Sequence, residues 1–96
     1  MTNGQKQKMI NQYVEETCNA FLTAYKDITK VEYRCDDTQN SFIKVTTAFG
    51  FSNYYDVTDL DCGDICRMLC SVVCSGKPTN QLKDLELIRL VEKLFK

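Results

Sequence analysis

The 96-residue sequence predicts a two-layer α+β domain ordered α-β-β-β-α-α, with a three-stranded antiparallel sheet covered by helices on one face. Three observations predict it. Apolar residues first recur at helical spacing, then alternate with a period of two, then return to helical spacing. Gly50, Gly76 and Pro78 fall between these segments. The length is that of one domain spanning 1–96, long enough for a modest core without staples.

The first helix is predicted over about residues 5–27. Met9, Ile10, Tyr13, Val14, Thr17, Phe21, Ala24 and Tyr25 share one face, with Lys6, Lys8, Glu15, Glu16, Asn19 and Lys26 largely opposite. No Gly or Pro occurs between Gln5 and Lys30. Three strands follow. Val31, Tyr33 and Cys35 alternate with Glu32, Arg34 and Asp36, and Ile43, Val45, Thr47 and Phe49 with Phe42, Lys44, Thr46 and Ala48. Tyr55 and Val57 alternate with Tyr54 and Asp56. β-Branched and aromatic residues suit a pleated, half-buried surface. The polar run 36–41 and Gly50 with Ser52-Asn53 mark the turns, so a meander is the simplest sheet. Val31, Tyr33, Cys35, Ile43, Val45, Phe49, Tyr55 and Val57 are expected to meet the helices, leaving the other face mixed and wet.

A second helix is expected from Thr58. Thr58 and Asp61 resemble a capping box, and Asp59, Asp61 and Asp64 suit the positive end of a helix dipole. Ile65, Leu69, Val72 and Val73 give its apolar stripe, and Gly76 and Pro78 stop it. A last helix is expected from Thr79 or Asn80 to near Lys96, with a broad apolar face of Leu87, Ile88, Leu90, Val91, Leu94 and Phe95.

Composition excludes several function classes. Without histidine, Ser-His-Asp and Cys-His catalysis, imidazole metal sites and imidazole proton shuttles have no residue to run on. A net charge of -1 does not point to nucleic acid. The N-terminal residues lack the apolar core of a signal peptide, and no apolar run approaches a membrane span, so a cytoplasmic, reducing environment is the expectation. Charge is segregated: residues 31–66 carry seven acids against two bases.

Cys62, Cys66, Cys70 and Cys74 form a C-x3-C-x3-C-x3-C run. On a helix this stripe spans about 18 Å, too far for one tetrahedral metal. Neighbours such as Cys66 and Cys70 could act with Cys18 or Cys35, but the spacing is neither a zinc-ribbon nor a common iron–sulfur pattern. Disulfides between residues four apart on a helix are geometrically poor. Close packing by small, apolar thiols is the favoured reading, with Cys74 the member expected to reach solvent. Reduced, oxidised and metal-bound forms of Cys66, Cys70 and Cys74 are all compatible with the spacing.

Asp59-Leu-Asp61-Cys-Gly63-Asp64 fails as a calcium loop, because the glycine is one position early and the twelfth position is Cys70. Tyr54 with Asp56, Asp59, Asp61 and Asp64 forms the candidate partner-binding surface, an acidic patch with an exposed aromatic. Helix–three strands–helix also describes double-stranded-RNA-binding domains, but aspartates stand where those carry lysines. The fuller order, helix–three strands–two helices, is similar to that of some small phage-encoded anti-CRISPR proteins. Known proteins of that shape are far more acidic DNA mimics, whereas this chain is nearly neutral, and the likeness is one of element order alone.

The expectation is therefore a small, intracellular, non-enzymatic interaction module, without cofactor or metal, of the inhibitor kind that occludes a larger protein partner. Two alternatives stand beside it: a cysteine-based metal or thiol-redox protein, and a homo-oligomeric module, such as a homodimer, joined through the last helix.

Overall fold

The structure, a computed structural model, describes residues 3–25, 27–74 and 80–96. Helix α1 (Asn3–Tyr13), a π-helical turn (Val14–Cys18) and helix α2 (Asn19–Leu22) run on from one another. Tyr13 and Asn19, on either side of the π turn, both keep right-handed helical dihedrals, so the rod is continuous. Strands β1 (Ile28–Cys35), β2 (Ser41–Thr47) and β3 (Ser52–Asp56) form an antiparallel meander in the order β1-β2-β3. Helix α3 (Cys62–Val73) follows, then α4 (Leu85–Glu92), closed by a 3-10 turn (Lys93–Phe95). The α+β class and the predicted strand order both hold.

The main core lies between the sheet and the first and third helices. Val31, Tyr33, Ile43, Val45, Tyr55 and Val57 meet Ile10, Val14, Cys18 and Leu22 from the first rod and Ile65, Met68 and Leu69 from α3. These strand residues are the ones that alternation assigns to the covered face. Phe49 departs from it, because it lies past the end of β2 in the turn and is 75 % exposed. The first helix differs in phase from its wheel. Ile10 and Val14 are buried as expected, but Cys18 and Leu22 replace Thr17 and Phe21 on the inner face. Inner residues four apart would drift by about 40° per step on a regular α-helix. The π turn takes more residues per revolution and so holds Ile10, Val14, Cys18 and Leu22 in one line.

The second sheet face, expected to be wet, is covered instead. Phe42 and Tyr54 pack against Val91, with Leu82, Ile88, Leu94 and Phe95 around them. The cause lies in residues 80–84, expected to be helical. Asp56 N–H donates to the Asn80 carbonyl at 3.0 Å and Leu82 N–H to the Tyr54 carbonyl at 2.8 Å, with an antiparallel bridge from Gln81 to Tyr55. This extended segment runs beside β3, and α4 starts only at Leu85, where the Asp84 carboxylate accepts the Glu86 N–H. Chain direction then carries α4 over the second face.

The start of α3 is also later than predicted. Asp61 is the cap, its carboxylate accepting the Asp64 N–H at 2.8 Å. Thr58 has a different duty: its hydroxyl accepts the Ser41 N–H at 3.0 Å and donates to Asp56. The β1–β2 turn is closed by Asp36, which accepts from the Thr38 and Asn40 N–H groups, and Gln39 there takes a left-handed φ of 68°. At the outer edge of β1, the Asn19 side-chain oxygen accepts the Val31 N–H at 2.9 Å.

Candidate partner-binding surface

The sequence-predicted surface is only partly brought together. Tyr54 is a core residue, 6 % exposed, not an exposed anchor. Its ring lies 5.8 Å from that of Phe95, with the Lys44 ammonium 6.0 Å away on its π face. Alternation places Tyr54 on the second sheet face correctly, and the unforeseen covering of that face by α4 buries it. Burial, followed by the nearby Glu92 and Glu32 carboxylates, pushes its phenol pKa up.

The four aspartates stay at the surface, but three hold local structure. Asp56 folds the chain after β3, its carboxylate accepting the Thr58 N–H at 3.0 Å and the Thr58 hydroxyl at 2.6 Å. Asp61 caps α3. Asp64 pairs with Arg67 at 2.7 Å, and that hydrogen bond holds its carboxyl below the usual range. Asp59 is exposed and makes no hydrogen bond or ion pair among the described residues. It shares a shallow depression of about 370 Å³ with Asp56, Leu60, Asn80 and Gln81.

The cysteine stripe does not converge. No disulfide joins any two of the six cysteines. Along α3 and its C-cap the stripe stays outside the core: Cys62 is half-buried, Cys66 exposed, Cys70 half-buried and Cys74 exposed, while Ile65, Met68 and Leu69 fill the core. No group of three or more metal-ligating side chains comes together among the described residues. Burial pushes the Cys18 thiol up to about 11. Burial and Asp61 raise Cys62, and desolvation and Cys66 raise Cys70. Tyr13 is raised by its hydrogen bond with Cys66 and then by burial. The shifted thiols thus move away from the thiolate form that nucleophilic chemistry needs.

A second surface was not legible in the sequence. A depression of about 290 Å³ lies between the β2–β3 turn and α4, lined by Gly50, Phe51, Ser52, Asn53, Tyr54, Leu82, Ile88 and Glu92. Gly50, at φ 83°, turns the chain there. Phe51 is 69 % exposed at its rim and Leu85 is 71 % exposed. Leu85, Ile88 and Glu92 stand at i, i+3 and i+7, on one side of α4. Leu85 opens α4, five residues later than the helix start expected at Asn80. The available signal was Asp84, an N-cap residue directly before an apolar run.

Comparison of the chain with protein-family models, with curated proteins and with solved structures finds no match.

Proposed function

We propose that this protein is a non-enzymatic interaction module that seats a segment of a larger protein partner in the groove between the β2–β3 turn and α4, occluding that segment. The observation that carries this reading is the exposure of Phe51 in a groove also lined by Tyr54, Leu82 and Ile88, with exposed Leu85 one turn before Ile88 on the same side of α4. Contiguous apolar surface with a polar rim is what protein interfaces use, and aromatic anchors dominate their energetics. Glu92 supplies a charged rim, suited to a partner with a basic flank. The acidic patch contributes through Asp59, the one aspartate of the four without a structural duty among the described residues.

The test is quantitative capture of the partner from lysate of the source cells, with wild-type and variant baits. Phe51→Asp and Leu85→Asp are expected to lower capture of the same protein about tenfold or more each, since an anchor side chain contributes ~1.5–3 kcal/mol. Circular dichroism melting should stay close to wild type, because both side chains are exposed. Asp59→Lys separates the acidic contribution cleanly, whereas reversal of Asp56 or Asp61 also breaks a turn or a cap. Capture unaffected by Phe51→Asp and Leu85→Asp would remove the groove reading.

A further inference from the structure

Helix α4 carries a second apolar flank, distinct from the groove. Leu87 and Leu90 on α4, and Leu94 on the 3-10 turn that closes it, stand at i, i+3 and i+7, the spacing of a helix-pairing seam. Leu90 is 61 % exposed and Leu87 37 % exposed, while Leu94 is half-buried against the second core. Beside this flank, on its solvent side, lie Glu86 and Lys93, seven residues apart and so on one edge of the helix. Both are exposed, and neither forms an ion pair among the described residues.

We propose that two copies of the chain pair through this flank, with their α4 helices antiparallel. In a two-fold antiparallel pair each helix edge faces the same edge of its copy. Pairing centred on Leu90 sets Leu87 against Leu94 of the second copy. It also brings Glu86 near Lys93 of the copy, and Lys93 near Glu86, within an offset of about 1.5 Å along the axis that the long side chains absorb. A parallel pair would not bring this edge against itself, so the charges select the antiparallel arrangement. The seam is short, so association is weak and concentration-dependent, well below the size of a standard stable interface. This proposal does not rest on the groove, because Phe51 and Leu85 lie off the seam.

Sedimentation equilibrium from about 10 µM to about 1 mM tests it. The mass is expected to rise from one chain toward two across that range. Leu90→Lys should stay monomeric with an unchanged melting temperature. Glu86→Lys should weaken pairing about fivefold to tenfold, since it turns two attractions into two repulsions. Adding Lys93→Glu to that variant should restore it. A single-chain mass throughout, no effect of Leu90→Lys, or no rescue by the charge swap would each overturn the proposal.

Discussion

Individual side chains show how burial sets chemistry in this molecule. Burial is the first cause that moves Cys18 from its ordinary 9.0 to about 11. It also raises the phenols of Tyr33, Tyr54 and Tyr55. A group that the fold holds protonated ionises first in the unfolded chain. The stability it lends is complete below the unfolded value and is lost as pH rises toward the folded one. Urea midpoints are therefore expected to fall from about pH 9 upward, and Cys18→Val should flatten that limb. An unchanged slope in Cys18→Val would show that the tyrosines and the other raised thiols, Cys62 and Cys70, set it. Asp64 has the opposite sign: its lowered value makes its contribution present above the ordinary carboxylate range and lost as pH falls through the folded value.

At the scale of elements, the two four-residue stripes make an instructive pair. Ile10, Val14, Cys18 and Leu22 stay buried because a π turn keeps them aligned, whereas Cys62, Cys66 and Cys70 on a regular helix, and Cys74 just past its end, lie outside the core and alternate between half-buried and exposed. The spacing was legible in both, but the local winding was not, because no residue type announces a π turn. Alternation assigned the strand faces correctly, since a period of two leaves little freedom once a strand forms. Helix starts were read less well. Thr58 and Asp61 are both capping residues, and tertiary contacts decide between them: Thr58 is engaged by Ser41, leaving Asp61 to cap. Asp61→Ala is expected to cost about 1 kcal/mol in urea denaturation, against less than ~0.5 kcal/mol for Asp59→Ala. Equal costs would contradict the assignment of the cap.

Across the whole molecule, the described residues form two cores of very different size. The first buries fourteen residues and the second three. Amide hydrogen exchange should accordingly show α4 opening well before β2 and the first rod, because local stability follows buried apolar contact. Uniform protection of α4 and β2 would mean that the layers unfold as one unit. The candidate site was half legible for the same reason. The acidic patch is visible in sequence because its aspartates are close in the chain. The groove at Phe51 and Ile88 is made by two segments that meet only because residues 80–82 run beside β3.

That short run beside β3, together with the Asn19 bond to the Val31 N–H, also governs what the sheet can do in a crowded solution. An open strand edge is a template for endless addition of further strands. Here one edge is occupied by Asn80, Gln81 and Leu82, and at the other a side-chain amide already holds a backbone donor of β1. Lys30, Glu32 and Arg34 add charge along the same strand. Growth by edge-to-edge stacking, the route to fibrils, is therefore obstructed at both ends of the sheet, and the leucine seam on α4 offers a contact that closes after two copies.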